Sequence, residues 1–341
     1  MSIDEIRAVL GTPEYAFLKT DRNLGSNLIL VGLGGSYAYG TSVEGSDIDI
    51  RGIAINTARE ILTGEDFEQF VDANTDTTIY SFRKMISLLC SCNPNTIEIL
   101  GLKREHYLVL TDVGEELLRR SSMFLSKKAA VAFGGYATAQ LRRLDNKAAR
   151  NLSDREHEAH VMNSIMNAVR AFPERYFEFP EDAIRLYVDN AVNPEMTSEI
   201  FMDVNLTHYP LRDYKCMWDE MHNIVRDYAK IGKRNSHAIN RDKPGKHMMH
   251  LIRLYMMCLD ILNEGKIITY REKEHDLLMD IRNNKYLDGN LPTKEFFEMV
   301  DFYEHAVKDA LSKTELPEQP DYQRISDFVA EVNYSVIAES R

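Results

Sequence analysis

The sequence predicts an α+β fold: a small mixed sheet in the first third of the chain, followed by a mainly helical region. Three observations predict it. Two apolar, β-prone runs, 28–33 and 48–55, flank a glycine-rich turn. A third β-prone run, Thr77 to Phe82, follows Asp76 and is bounded by polar residues. From about residue 112 the strand signals fade, and apolar residues recur at helical spacing. The expected division is one domain at residues 1–111 and a second, helical domain at 112–341, with the active site between them.

Taken in order, residues 2–10 read as a short amphipathic helix, Asn23 to Asn27 as a turn and Leu28 to Leu33 as the first strand. Gly34, Gly35 and Ser36 leave that strand and open a helix. Glu44-Gly45-Ser46 is a turn, and 47–55 is the second strand. Asn56 to Asn74 mixes charged and aromatic residues and reads as a loop with little regular structure. A helix at 81–92 carries Phe82, Met85, Ile86 and Leu89 on one face. Ile97 to Leu102 closes the first domain. Helical spacing then covers Leu117–Ala149, His157–Phe172, Tyr209–Ile231, His247–Leu262, His275–Arg282 and Phe296–Leu311. Ile267 to Tyr270 is a short strand-like break. Residues 315–323, with two prolines, read as a linker to a last helix near 324–338. Trp218 and the methionines of 248–257 fall at helical spacings and are assigned to the core.

Composition narrows the function. Hydrophobic residues make up 44% of the 341 residues, enough for ordinary globular cores. No apolar run approaches the roughly 18 residues of a membrane span, and the first residues are polar, unlike a signal peptide. Cys90, Cys92, Cys216 and Cys258 are scattered without zinc-site spacing, which fits a reduced cytoplasm. A net charge of −12 argues against sequence-blind nucleic-acid binding over the whole surface. A local basic groove could still hold a 3′ end.

The candidate site begins with Asp47 and Asp49. Side chains two apart on a strand project to one side, with backbones roughly 6–7 Å apart. That spacing suits a divalent metal pair roughly 3.5–4 Å apart. The turn at Gly34-Gly35-Ser36 offers backbone N–H groups of the kind that cradle phosphate. A phosphate cradle facing an acid pair reads as metal-assisted nucleotidyl transfer. Paired metals need further oxygen ligands. Asp76, directly before the β-prone run, and Asp72, in a less strand-like setting, are the candidates for a third acid. Lys246, His250 and Arg253 share a helix face through spacings of four and three and could neutralise a triphosphate. Lys230, Lys233, Arg234, Arg241 and Lys243 form a basic region that could grip RNA, or a plain charged loop. Arg142, Arg143, Lys147 and Arg150 read as a solvated helical face. Arg51 points to the acid side, to pair with an acid or touch substrate.

Gly35-Ser36 followed by Ser46-Asp47-Ile48-Asp49 resembles the glycine–serine and Asp-x-Asp pattern of the polymerase-β-like nucleotidyltransferase superfamily. The longer string Gly-Ser-Tyr-Ala-Tyr-Gly-Thr, then Ser-Asp-Ile-Asp-Ile-Arg-Gly, resembles its RlaP branch. An acid before a β-prone run, then Lys84 and Asn93-Pro94, and the Lys246–Arg253 helix are similar to that branch as well. The resemblance implies Asp47, Asp49 and Asp76 as catalytic metal ligands for two Mg²⁺ ions, with Asp76 helping to activate the attacking hydroxyl. It implies Gly35, Ser36, Lys246, His250 and Arg253 as nucleotide contacts, Ser36 on the triphosphate. The substrate would be ATP or another nucleoside triphosphate. The acceptor would be a hydroxyl, with an RNA or tRNA 3′ end first. A protein side chain, a small molecule, or a non-catalytic nucleotide-binding role are the alternatives.

Overall fold

The computed structural model describes residues 1–65, 67–137, 154–170, 172–176, 178–180, 182–190, 192, 198–229, 244–289 and 291–339. The chain forms two compact units, Met1–Gln140 with Gly245–Arg341, and Leu141–Pro244. The expected boundary at 111/112 falls inside the first unit.

The first unit is built on a five-stranded mixed sheet. Its strands are β1 (Leu28–Leu33), β2 (Ile50–Ala54), β3 (Gln69–Asp72), β4 (Thr77–Ser81) and β5 (Tyr107–Leu110). Their order across the sheet is β3-β4-β2-β1-β5. Every residue of β1 is buried, as expected of a central strand covered on both faces. On one face lie Leu28, Val31, Leu33, Ile50, Ala54 and Ile79 with Ile6, Tyr15 and Leu18 from the N-terminal helix and turns. On the other, Leu30 and Ile53 pack with Phe82, Met85 and Leu89 and with helices from the end of the chain, through Leu254, Met257, Ile261, Phe328 and Val332. The chain's last hundred residues therefore complete the core of its first hundred. The expected linker at 315–323 is strapped down: Lys127 N–H donates to Pro317 C=O at 2.9 Å and Asp321 N–H to Met123 C=O at 2.9 Å.

Three local expectations are corrected. The second strand starts at Ile50, three residues late, because its neighbour β1 ends at Leu33 and β4 begins only at Thr77. Asp47 and Ile48 thus have no ladder partner, and the acids precede the strand. The stretch 56–74 is not a loop: it holds the helix Ala58–Thr63 and strand β3. Thr57 and Glu60 close a capping box on that helix, and Gly64 (φ +74°) ends it in the left-handed region. Ile267–Tyr270 is not a strand. Its backbone serves residues 98–101 instead: Thr269 N–H donates to Gly101 C=O at 3.1 Å and its hydroxyl to Glu98 C=O at 2.6 Å.

The second unit contains the helices Asp154–Arg170 and Leu211–Ala229 and, against expectation, a β-hairpin of Ile184–Asn190 with Ser198–Val204. Apolar residues pair on one face (Ile184 with Val204, Leu186 with Met202, Val188 with Ile200). Most of that face packs on Val161, Ile165, Met217 and Met221. Trp218 is 46% exposed rather than core, one residue off the buried Met217–Met221 stripe, while Met248, Met249, Met256 and Met257 are buried as expected. Elsewhere helices run Asp112–Arg119, Pro244–Glu264, His275–Arg282, Lys294–Lys313 and Tyr322–Glu339. The helix expected over 117–149 stops at Arg119 and resumes at 128–137. Arg142, Arg143, Lys147, Arg150, Lys230, Lys233, Arg234, Arg241 and Lys243 lie outside the described residues.

Candidate active site

Strand direction gathers the site. β1 and β2 are antiparallel, while β2 and β4 are parallel. The C-terminal end of β1 and the N-terminal ends of β2 and β4 therefore meet at one edge of the sheet. Gly34-Gly35-Ser36 leaves β1 there, Asp47 and Asp49 enter β2 there, and Asp76 enters β4 there. Gly34 N–H donates to Asp49 C=O at 2.8 Å, and Ile50 N–H to Asp76 C=O at 3.2 Å, so all three segments are stitched together at the backbone.

Contact at the turn is close. Gly35 has φ +53°, and a Cβ placed on it would overlap Oδ2 of Asp49 and lie 2.7 Å from its Cγ. Only glycine meets both demands. Gly34 is close but less tight, its would-be Cβ 3.2 Å from Asp49 Cβ and 3.2 Å from Arg51 Cγ. Ser36 is half-buried in the first turn of the helix Gly35–Tyr39.

Arg51 holds the acids in place. Its guanidinium is 3.7 Å from Asp49 Oδ1 and donates to the carbonyls of Asp76 at 2.7 Å and Ile50 at 2.9 Å. That is the acid-pairing role. Burial pushes the Asp49 carboxyl up, Arg51 opposes this, Asp76 adds to it, Lys246 opposes it and Asp47 adds to it. Asp49 therefore senses Asp47, Asp76 and Lys246 together. Asp47 and Asp76 are exposed, and neither carboxylate makes a hydrogen bond or ion pair among the described residues.

Asp72 is engaged in the β3–β4 turn by its own bonding. Its Oδ1 accepts from Asn74 N–H at 2.8 Å, Thr75 N–H at 3.1 Å and the Thr75 hydroxyl at 3.3 Å, closing the β3–β4 turn. Asp76 sits just beyond, at φ +46°. Asp and Asn tolerate that conformation better than most residues. Asp76→Asn should therefore abolish any turnover while leaving the melting temperature near that of the unaltered chain. Asp72→Ala should lower stability by about 1 kcal/mol, the scale of a lost turn hydrogen bond, and spare turnover. Thermal melts and rate measurements on both variants check this.

The helix Pro244–Glu264 brings the three basic residues to different places. Gly245 is wedged against the end of the helix His275–Arg282, its would-be Cβ 2.5 Å from Asn284 Oδ1, and its N–H donates to that oxygen at 3.2 Å. Lys246 follows, exposed, and acts on Asp49. Arg253 points inward. It is 6% exposed, with its guanidinium carbon 3.1 Å from the centroid of the Tyr39 ring. A desolvated contact of this kind is worth about 2 kcal/mol. His250 Nδ1 lies 2.5 Å from Arg253 Nη2, so it serves Arg253.

Among the described residues, no three His, Cys, Asp or Glu side chains are drawn together closely enough to hold a metal ion as they stand. The donor set still suits a hard divalent cation: three aspartates at one sheet edge, one raised by burial, two exposed. Sequence reasoning missed the Tyr39–Arg253 contact; nothing in the spacing of residues 214 apart in the chain could signal it. No described helix is long and apolar enough to cross a membrane. Residues 14–172 match the family model described as RlaP: RNA repair pathway DNA polymerase beta family. No curated protein and no solved structure matches the chain.

Proposed function

We propose that the chain, whose residues 14–172 match the RlaP family model, transfers a nucleoside monophosphate from a nucleoside triphosphate to a hydroxyl, with an RNA 3′ end as first acceptor. The single observation that carries this reading is the meeting of Gly35, Asp49 and Asp76 at one sheet edge. The acceptor hydroxyl attacks the α-phosphorus, the bond to the β-phosphate oxygen breaks, pyrophosphate leaves, and the hydroxyl proton is lost. Asp47, Asp49 and Asp76 would hold two Mg²⁺ ions. Bound there, the metal supplies neutralisation of phosphate charge and a more acidic attacking hydroxyl. Gly35 and Ser36 cradle the triphosphate, and Lys246 adds a cation on the same side. Asp76 orients the attacking hydroxyl. The RNA acceptor rests on the family description, since the surface charge of −12 gives no general affinity for nucleic acid.

The test is incubation of the full chain with Mg²⁺, each of the four α-labelled triphosphates, and RNA with free or blocked 3′ ends. The expected result is label on RNA with a free 3′ hydroxyl, lost in an Asp47→Ala, Asp49→Ala double variant. Label on protein or on a small molecule transfers the reading to that acceptor. No transfer from any triphosphate overturns it.

A further inference from the structure

We infer that Arg253 is a positioning residue, which sets the glycine–serine turn through the Tyr39 ring rather than binding nucleotide; this rests on the nucleotidyl-transfer reading above. Among the described residues no carboxylate pairs with Arg253. Asp260, two turns further along the same helix, is taken by Arg271, at 2.6 Å. The guanidinium instead covers the Tyr39 face, and its Nη2 meets His250. Reaching a phosphate at the exposed acids would mean leaving both partners.

Tyr39 is the last residue of the helix that Gly35 begins, and it is 1% exposed. Three residues from the end of the chain fix it. Arg253 covers its ring, Arg271 N–H donates to its carbonyl at 3.2 Å, and the Tyr270 ring lies 2.6 Å from where a Cβ on Gly40 would sit. Tyr270 is itself braced by Lys103, whose Nζ is 3.5 Å above its ring. A five-residue helix spans roughly 7.5 Å, under two turns. A rotation at Tyr39 therefore reaches Gly35, which touches Asp49. The clamp fixes the register between the phosphate cradle and a catalytic acid, on the side hidden from substrate.

The test compares Arg253→Gln, Arg253→Lys, Tyr39→Leu and Tyr39→Phe in the labelling assay. Arg253→Gln and Tyr39→Leu should each lower kcat by about 10²-fold, the effect of displacing a reacting group by about 1 Å. KM for the triphosphate should change less than about threefold. The double variant should be no worse than the worse single one, because both remove one contact. Arg253→Lys, which keeps a cation over the ring, and Tyr39→Phe, which keeps the ring, should recover most of kcat. A rise in KM at unchanged kcat, additive losses, or no effect would overturn the proposal. Absence of transfer by the unaltered chain would fail the underlying reading separately. The amide resonances of Gly34, Gly35 and Ser36 then decide: they should move in Tyr39→Leu and stay near their unaltered positions in Arg253→Lys, and resonances unmoved in Tyr39→Leu overturn the clamp. The same resonances serve if Arg253→Gln does not fold.

Discussion

An Asp49→Asn variant should lose nucleotidyl transfer by on the order of 10³-fold, the scale on which a single transition-state-stabilising group is felt, and yet melt at a higher temperature than the unaltered chain. Both effects have one cause. Burial is the main influence on the Asp49 carboxyl and raises it, with Asp76 and Asp47 adding to the rise against Arg51 and Lys246. A carboxyl raised on folding binds its proton more tightly in the folded chain than in the unfolded one. Stability then falls as pH rises from the unfolded value through the folded one. Above the folded value, without divalent cation, the folded chain carries an ionised Asp49 at a cost, which the amide removes. Below the unfolded value both states are protonated and the difference between variants should vanish. Melting curves against pH, in chelator, check the sign. A melting temperature lowered by Asp49→Asn at neutral pH would mean that the ion pair with Arg51 outweighs burial.

Gly35→Ala should be as damaging to turnover while costing only modest stability. The left-handed conformation at φ +53° charges an L-residue roughly 1–2 kcal/mol. The larger effect is local: the methyl would occupy the position of the Asp49 carboxylate. Gly45, in the loop between the turn and the acids, separates the two costs. It has φ +76° with nothing within 4 Å of a would-be Cβ. Gly45→Ala should lose similar stability and keep turnover within about threefold, since it meets the same strain in open space. Matched losses of activity in the two variants would show that backbone strain, not contact with Asp49, sets the effect.

Much of this was legible in the chain. Leu28–Leu33 announces a buried strand, and Gly35-Ser36 with Asp47-x-Asp49 announces what stands at its end. Asp76 could be chosen over Asp72 only weakly, since hydrogen bonding in the β3–β4 turn is what separates them. The exact strand start could not be read, because it depends on where the neighbours β1 and β4 stop and begin. The helix Ala58–Thr63 was readable from Thr57, Glu60 and Gly64, but charged and aromatic neighbours obscured it. The 184–204 hairpin was readable from Ile184, Leu186 and Val188 alternating with Arg185, Tyr187 and Asp189, the pattern of a half-exposed strand, but the helical spacing on either side of it drew the whole region into a helical reading. Arg253 looked like part of a basic stripe with Lys246. Spacing places side chains on a face but does not say which face meets solvent and which meets Tyr39.

In the proposed function, the carboxylates and the glycine–serine turn at one sheet edge form a single cation and triphosphate site. Titration of the isotope-labelled chain with Mn²⁺, alone and with a nucleoside triphosphate, tests it most directly through paramagnetic broadening of backbone amides. Broadening should centre on residues 47–49 and 76, extend to 34–36 when the triphosphate is added, and be lost in the Asp47→Ala, Asp49→Ala variant. Broadening centred elsewhere, or unchanged in that variant, would contradict it.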